Sequence, residues 1–379
     1  MDTQRRLRLG VAAALLLLAG AVPAQARVVG VCSNCHTMHN SQNGSALVAS
    51  GTGAGWSGGA VTGGTGSGVQ ESLLVTDCVG CHTSGASDTI VTVAGSRIPI
   101  VYNTVPPASP LAGGNFYWVA STGDAYGHNV RGISDQDAAL AAAPGAVACA
   151  NSCHTSLTLS DAQTSGGRKN GCQGCHNSVR HHGEDPAGQP VGAAGGWYRF
   201  LAAPSGHDLL GGAGVNGIED PDWEQHATSA VHNTYYGGDG TDTESPQSIG
   251  KFCAGCHYNF HSPGSPTTLM DVDNGGGANP WLRHPADAVI PNDPGSEYTA
   301  YTVYDPQVPV GRPEASLTGF VGSAVRPGTD KVICLSCHRA HGSPNPDLLR
   351  WPYGEMVLDT SGAAAGTGCF TCHSAKDGV

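Results

Sequence analysis

The arrangement of the cysteines constrains this chain more than any other feature. All 14 cysteines fall into seven pairs, and a histidine follows the second cysteine of every pair. Six pairs have the spacing C-x-x-C-H and one has the spacing C-x-x-x-C-H. The pairs are Cys32 and Cys35, Cys78 and Cys81, Cys149 and Cys153, Cys172 and Cys175, Cys253 and Cys256, Cys334 and Cys337, and Cys369 and Cys372. C-x-x-C-H is the attachment signature of c-type haem, in which two thiols form thioethers and the histidine coordinates the iron.

Two other uses of paired cysteines explain the pattern less well. Exported proteins often contain disulfides, but a disulfide does not require a histidine after every second cysteine. Zinc knuckles combine two C-x-x-C pairs in one site, and seven pairs cannot all be matched two by two. The sequence therefore predicts seven covalently bound haem c groups. Their proximal iron ligands are His36, His82, His154, His176, His257, His338 and His373.

The composition indicates what kind of fold such a chain can form. The 379 residues include 56 Gly and 24 Pro, and the hydrophobic fraction is 39%. Such a chain has few long helices and a thin apolar core, so we expect the haems to take the place of the core. The prediction is a haem-templated multihaem cytochrome c fold that is mostly irregular, with short helices and few short strands, in one domain over residues 27–379. The formal charge of −12 argues against a nucleic-acid partner.

A few stretches carry signals for regular structure. Asp135–Ala143 begins with acidic residues and ends before a proline, and Asp222–His232 follows a proline and a capping aspartate. Both patterns predict helices. Gly113–Trp118 is an apolar, strand-like stretch whose aromatic side chains we expect in the core.

The N-terminus has the features of an export signal. Arg5, Arg6 and Arg8 precede an apolar stretch at 10–21, and Ala24-Gln25-Ala26 fits a cleavage site. This pattern predicts a signal peptide over residues 1–26; a retained membrane anchor is the alternative. No later stretch is long and apolar enough to span a bilayer. We therefore expect an exported protein that matures in the periplasm and then reaches the extracellular space or cell surface.

The remaining histidines supply more second axial ligands than seven haems need. They are His39, His128, His181, His182, His207, His226, His232, His261, His284 and His341. Iron with two axial histidines has no open position and can only pass electrons, whereas a five-coordinate iron could do chemistry. The surplus favours bis-His haems in an electron carrier rather than an enzyme. Met38, Met270 and Met356 are further possible ligands.

Three of these histidines lie just after an attachment motif. His39, His261 and His341 follow the proximal histidines of their motifs by three or four residues. The chain leaving a proximal histidine is on the proximal side of that haem, so such a side chain reaches a neighbouring haem more easily. Each of them would connect two haems at close range, as electron hopping requires.

Several segments resemble the OmcS-type hexahaem filament cytochromes of metal-reducing bacteria. The similar stretches are 32–41, 127–130, 197–200, 253–261, 282–286, 334–341 and 369–377. They are spread over most of the chain that follows the signal peptide. The resemblance implies bis-His haems in one continuous chain, within subunits that polymerise into extracellular nanowires.

The resemblance also implies roles for individual histidines. His39 would cross a subunit interface and ligate the iron held by His338 of the neighbouring subunit. The other matched second ligands are His128, His261, His284 and His341, with His181 or His182 for the segment of His176. Because His181 and His182 are adjacent, we expect only one of them to ligate.

The site of Cys149, Cys153 and His154 has no counterpart in the hexahaem pattern. Its second ligand is expected to be His226 or His232, and the haem could either branch from the chain of haems or lengthen it.

Three functions remain open on the sequence. The first is extracellular electron transfer by a polymerised haem wire that exchanges electrons with other cytochromes or extracellular acceptors. The second is a monomeric periplasmic shuttle, in which His39 stays within its own chain. The third is a multihaem oxidoreductase, which requires one open iron.

Overall fold

The structure of the chain is a computed structural model. It describes residues 28–42, 44–46, 55–57, 60–62, 71–137, 157–159, 164–165, 168–177, 179–183, 190–191, 197–202, 214–239, 245–257, 284–313, 317, 322–357 and 367–374. Most of these residues form irregular segments and turns, with few short helices and strands. The predicted fold class is confirmed to that extent. Templating by haem, the signal peptide and the single-domain boundary remain predictions.

The helices of the described residues are single turns or little more. The α-helices are α1 (Cys78–Cys81), α2 (Tyr117–Ser121), α3 (Ile249–Ala254), α4 (Cys334–Cys337) and α5 (Cys369–Cys372). The 3₁₀ segments are Cys32–Asn34, Glu71–Leu73, Asp124–Tyr126, Gly171–Gly174, Tyr198–Phe200, Pro346–Leu348 and Tyr353–Glu355. Three of the six C-x-x-C pairs lie entirely within one of these turns, and each of the other three has its first cysteine in one. The regular helical structure is therefore concentrated where the sequence predicts haem attachment.

The strands are equally short. They are β1 (Ser41–Gln42), β2 (Ser45–Ala46), β3 (Gly55–Ser57), β4 (Ala60–Thr62), β5 (Thr83–Ser84), β6 (Ile90–Val93), β7 (Ser96–Pro99), β8 (Tyr102–Asn103), β9 (Thr164–Ser165), β10 (Arg168–Lys169), β11 (Pro190–Val191), β12 (Gly217–Ile218), β13 (Thr234–Tyr236), β14 (Ala288–Val289), β15 (Gly311–Arg312) and β16 (Lys331–Val332). One sheet has six strands in the order β11-β12-β13-β15-β16-β14, and the other sheets have two.

The six-stranded sheet positions two parts of the candidate site. β16 leads through Ile333 directly into α4, and its neighbour β14 begins four residues after His284. The two strands are antiparallel, with Ala288 opposite Val332. This pairing fixes the segment of His284 relative to α4.

Several small apolar clusters replace one large core in the described part of the chain. One contains Tyr198, Val215, Tyr235, Ile249 and Ile333. A second contains Val79, Tyr102, Phe116, Val119 and Val130. A third contains Ile290, Tyr301, Tyr304, Val310 and Val325. Because each cluster includes or adjoins an attachment segment, the apolar packing is divided among the haem-attachment regions.

Buried charge accompanies these clusters. Arg312 and Asp330 are fully buried and form an ion pair, and Arg326 forms a second ion pair with Asp330. A buried carboxylate left without its cationic partner would be strongly destabilising, so these arginines are required to keep Asp330 inside the fold.

Two sequence-based secondary-structure predictions are wrong. Residues 222–232 form turns rather than a helix, because Trp223 and Glu224 adopt positive φ angles of 51° and 62°. Two successive left-handed residues cannot continue a right-handed helix. The strand-like stretch Gly113–Trp118 leads into α2, and Phe116 is buried there as expected.

Residues 135–137 of the other predicted helix have no helical structure, and residues 138–143 lie outside the described part. In the part of the chain that the structure describes, no helix has the length and apolar character needed to span a membrane.

Candidate haem-binding site

The described attachment segments share one backbone conformation. We number them in chain order as the first to the sixth attachment segment. They are 32–36, 78–82, 172–176, 253–257, 334–338 and 369–373. In each, the histidine N–H donates to the carbonyl of the first cysteine four residues earlier, at 2.8–3.1 Å. This is one α-helical turn, and residues three and four apart lie on one face of such a turn. The spacing therefore places both thiols and the imidazole on the same side.

Five proximal histidines face a second histidine at nearly constant distance. The ring centroids of the pairs are 6.1 Å apart for His36 and His182, 6.3 Å for His82 and His181, 6.1 Å for His176 and His341, 6.0 Å for His257 and His128, and 6.2 Å for His373 and His284.

This separation is the one that two imidazoles on opposite sides of one metal ion require. A bond from a first-row metal ion to imidazole nitrogen is about 2.0–2.1 Å, and the ring centroid lies about 1.1 Å further away. Two such ligands therefore have centroids about 6.2 Å apart. Each of the five pairs contains one proximal histidine and one histidine from a distant part of the chain, so the donors fit bis-His haem.

Hydrogen bonds set the tautomer of most of these histidines. The Nδ1 atoms of His36, His82, His128, His176, His182, His284 and His338 lie 2.7–3.2 Å from backbone carbonyl oxygens. His373 Nδ1 lies 3.0 Å from the Glu297 carboxylate. A carbonyl or carboxylate oxygen accepts, so Nδ1 must carry the proton. The Nε2 lone pair then remains for iron, and the hydrogen bond makes the imidazole a better donor.

The local electrostatics favours the neutral imidazole that iron binds. Desolvation lowers the pKa of His82, His128, His176 and His338. The same effect, together with neighbouring histidines, lowers the pKa of His181 and His257 to about 4 and that of His341 to about 3. Protons therefore compete weakly with a metal at these positions.

The attachment segments follow one another in space in the order of the sequence. Burial and the nearby Cys35 raise the pKa of the Cys81 thiol to about 12, which places the first segment beside the second. Cys172 of the third segment packs against the apolar cluster that contains Val79 of the second, which joins these two segments.

The later segments are linked in the same manner. Burial and Cys256 raise the pKa of Cys175 to about 12, so the third segment adjoins the fourth. Cys253 hydrogen-bonds to Cys334, and Cys369 lies close to Cys337. Each segment therefore lies close to the next one in the sequence, and we call this succession the row; electron hopping needs such close neighbours.

One proximal histidine in this row has no partner of the same kind. His338 hydrogen-bonds to the Asp347 carbonyl, yet no other histidine ring of the described residues lies opposite it as in the five pairs. His39 is exposed, and it also forms no pair with another histidine among the described residues.

Other predicted ligands have different surroundings. His226 is exposed and its Nδ1 lies 2.5 Å from the Asp222 carboxylate. His232 is buried and stacks on Tyr304, with ring centroids 3.5 Å apart. Cys149, Cys153, His154, His207 and His261 lie outside the described residues, so the ligands of that site stay predictions.

The adjacent histidines differ from expectation. We expected only one of His181 and His182 to ligate, but both face a proximal histidine, His181 in the second segment and His182 in the first. We also expected one of them to face His176, which pairs instead with His341. Successive side chains of an extended or turning chain can point to opposite sides, so two neighbouring residues can serve two haems.

Sequence reasoning missed the residues that hold the proximal histidines. The carbonyls that accept from His36, His176 and His338 belong to Ser72, Arg199 and Asp347, whose φ angles are 54°, 45° and 59°. The next residues, Leu73, Phe200 and Leu348, also have positive φ. We call these three two-residue units the left-handed turns.

A left-handed conformation costs a residue other than glycine about 1–2 kcal/mol, so the surrounding bonds must maintain each turn. The repeated sequences Ser72-Leu73-Leu74 and Asp347-Leu348-Leu349 are a signal that could have revealed two of the turns.

Comparison with known proteins agrees with this site. The family model described as "Doubled CXXCH motif" matches residues 326–378, which include the fifth and sixth attachment segments. The chain is 26% identical to the C-type cytochrome OmcS of Geobacter sulfurreducens over 96% of this chain and 89% of that protein. The predicted resemblance to the OmcS-type cytochromes is confirmed.

Two solved structures of this OmcS type are also similar. One is the Outer Membrane Cytochrome S filament from Geobacter sulfurreducens, with a TM-score of 0.49 and 21% identity over 87% of this chain and 85% of that one. The other is a cryo-EM structure of the OmcS nanowires, with a TM-score of 0.40 and 19% identity over 85% and 83%.

Proposed function

We propose that the chain is a heptahaem c-type cytochrome that transfers electrons along a row of bis-His haems. The observation that carries this proposal is the set of five histidine pairs, each built on the proximal histidine of an attachment segment. The 14 cysteines and seven proximal histidines would hold the haems. Bound haem supplies a one-electron iron couple at each position.

The pairs favour an electron carrier over an enzyme. Two imidazoles occupy both axial positions of an iron and leave no position for a substrate. A multihaem oxidoreductase is the alternative, and it would need an open iron. A high-spin absorption band, or cyanide binding to intact assemblies, would favour that alternative.

We propose further that the chains polymerise, with His39 ligating the iron held by His338 of the neighbouring subunit. Support comes from the fifth segment. His341 lies three residues after His338, yet its ring pairs with His176 of the third segment, two positions back along the row.

His39 lies three residues after His36 in the first segment. Two positions back from a first segment, across the boundary with a preceding copy, lies that copy's fifth segment. Its proximal histidine, His338, is the described proximal histidine opposite which no other described histidine ring lies. The relative's printed title, a filament of that cytochrome, agrees with self-association.

The test of this interface is His39→Ala. We expect all seven haems to stay attached, measured by pyridine haemochrome, and filaments in electron micrographs to be lost or weakened. His226→Ala is the matched control, because His226 is also exposed but bonds to Asp222. Unchanged filaments in H39A would contradict the cross-subunit ligand. Isolated particles of the unaltered protein at high concentration would favour the monomeric shuttle.

We also propose that the haem of Cys149, Cys153 and His154 branches from the middle of the row. Leu157, three residues after His154, packs against the cluster that contains Val79 of the second segment. Cys172 of the third segment packs against the same cluster. Three residues span at most about 11 Å, which supports a branch near the second and third segments.

Replacement of Cys149 and Cys153 by Ala tests this seventh haem. The pyridine haemochrome content should fall by one haem per chain. Cys172→Ala with Cys175→Ala is the comparison, since it removes a haem from the row itself. An unchanged haem count in the first variant would show that the C-x-x-x-C-H site is not used.

The proposed location is extracellular, after export and periplasmic maturation, with the signal peptide at residues 1–26 removed. Other cytochromes or extracellular acceptors are the proposed partners. N-terminal sequencing of secreted material should start at Arg27; an intact Met1 would contradict this proposal.

A further inference from the structure

Arg199 forms hydrogen bonds through its backbone carbonyl, its backbone N–H and its guanidinium group. Its carbonyl oxygen accepts a hydrogen bond from His176 Nδ1 at 2.8 Å. Its N–H donates to Glu219 Oε1 at 2.5 Å, and its Nη1 donates to Glu219 Oε2 at 3.1 Å. Both carboxylate oxygens of Glu219 are thus bound to one residue.

The other arm of the guanidinium is equally fixed. Arg199 Nη2 donates to the Asp220 carbonyl at 2.6 Å and to Asn233 Oδ1 at 2.9 Å. Glu219, Asp220 and Asn233 are all buried. A planar guanidinium with this many partners has little freedom to rotate.

This clamp distinguishes one left-handed turn from the other two. Ser72 and Asp347 also present a carbonyl to a proximal histidine from a left-handed residue. Within the described residues, neither of their side chains forms an ion pair of this kind. The turn at Arg199 is therefore the one whose strained conformation is maintained by a buried ion pair.

We propose that Arg199, locked by Glu219, is the positioning residue for His176 and so adjusts the reduction potential of the haem in the third segment. The proposal rests on the proposed function, because it assumes a haem on Cys172 and Cys175. It adds a role for two residues that lie outside every attachment motif.

The physical reason is the hydrogen bond on the second ring nitrogen. A short, fixed bond from Nδ1–H to a carbonyl raises the basicity of the ligating Nε2. A more basic ligand stabilises oxidised iron and lowers its potential, since second-shell hydrogen bonding is one determinant of haem potential. If the carbonyl is free to move, the bond weakens and the potential rises.

Arg199→Lys isolates this effect, because it keeps the positive charge and removes the planar fork. We expect the ratio of reduced to oxidised iron at one haem to rise about tenfold at a fixed potential, which is ~59 mV for one electron. Spectroelectrochemical titration measures this shift, and the low-spin EPR signal of the same haem should change with the ring orientation. Glu219→Gln should shift the same haem in the same direction.

The matched control is Asp330→Asn. It weakens another buried ion pair, that of Arg312 and Asp330, and neither residue's carbonyl binds a proximal histidine among the contacts described. We expect both R199K and D330N to lower the melting temperature, and only R199K to shift a haem potential.

A lower melting temperature in R199K with every haem potential unchanged would overturn the proposal and leave Arg199 a structural residue. Failure of the proposed function has a different signature. The unaltered protein would then lack a haem on the third segment, which mass spectrometry of the peptide containing Cys172 and Cys175 detects before any variant is made.

Discussion

The first and fifth attachment segments bind a left-handed turn through equivalent hydrogen bonds. In the first, the Thr37 N–H donates to the Leu73 carbonyl at 2.8 Å; in the fifth, the Arg339 N–H donates to the Leu348 carbonyl at 2.9 Å. The return bonds also correspond, because Val75 donates to the Cys35 carbonyl and Arg350 donates to the Cys337 carbonyl. Both segments are copies of one structural unit.

The surroundings of the second histidine in each unit are different. His341 donates its N–H to the Gly113 carbonyl at 2.7 Å, and its ring stacks on Phe116 at 4.7 Å. A Cβ on Gly113 would lie 3.0 Å from His341 Nδ1, so a larger residue there would require the His341 ring to shift. His39 is exposed. The comparison teaches that one local unit can partly bury its second histidine or leave it exposed, depending on what packs against it.

The largest expected effect is a difference in the number of open haems between variants that lack His341 and variants that lack His39. Subunits dissociated from filaments should have one haem with an open position, that of His338. His341→Ala should add a second such haem, that of His176, while His39→Ala should add none. High-spin absorption and cyanide binding to dissociated subunits measure the number. Equal numbers in the two variants would break the comparison.

Acid should act on the desolvated His341 only well below neutral pH. Desolvation lowers the pKa of His341 to about 3, below the value of about 6.5 for a free imidazole. The stability that depends on a neutral His341 is therefore fully present above about pH 6.5 and is lost as the pH falls towards 3.

We expect the haem of His176, which His341 faces, to stay low-spin until the pH falls well below 6.5. Absorption spectra recorded during an acid titration, with the His341→Ala variant as reference for the high-spin signal, measure this transition. Loss of the low-spin signal already near the ordinary imidazole pKa of about 6.5 would contradict the assignment of His341 as the desolvated second ligand.

Substitution in the left-handed turns should affect both units alike. Ser72→Val and Asp347→Val place a β-branched residue at φ angles of 54° and 59°. Each should lower the free energy of unfolding by about 1–2 kcal/mol, measured by denaturant unfolding. Val231→Ala, at an exposed position with negative φ, is the control. A large effect at only one turn would mean that the two units are not equivalent.

The smallest effect is expected from glycine at the same two positions. Ser72→Gly and Asp347→Gly keep the carbonyl that holds the proximal histidine and relieve the left-handed strain. Stability should change by less than about 1 kcal/mol in either case, and the haem potentials should stay the same. A shift in potential would show that the side chains themselves act on the haems.

The spacing of the attachment motifs agrees with the local backbone structure that they adopt. Three intervening positions from Cys334 to His338 are enough to define one helical turn, and the observed bond from His338 N–H to the Cys334 carbonyl is local. The predicted helix at 222–232 failed because a pattern of caps and prolines does not reveal the positive φ angles of Trp223 and Glu224. Those angles depend on contacts with residues far away in the chain, such as the bond from Ala112 to the Trp223 carbonyl.

The pairing of the histidines also depends on contacts between distant residues that the sequence does not reveal. Adjacent His181 and His182 looked interchangeable in the sequence, and the structure directs one to the second segment and the other to the first. Arg199 carried no motif, and its contact with His176 joins parts of the chain 23 residues apart. The partner of each proximal histidine depends on which distant segments of the chain pack together.

By itself, the sequence predicted the attachment segments, the histidine that ends each of them and the scarcity of regular structure, because these follow from spacing within five or six residues and from composition. Only the tertiary structure decided which distant histidine faces each of five proximal histidines, and it places no such ring opposite His338 among the described residues. The physical reason is that the two rings of a pair belong to segments far apart in the sequence, and only the packing of those segments brings the rings together.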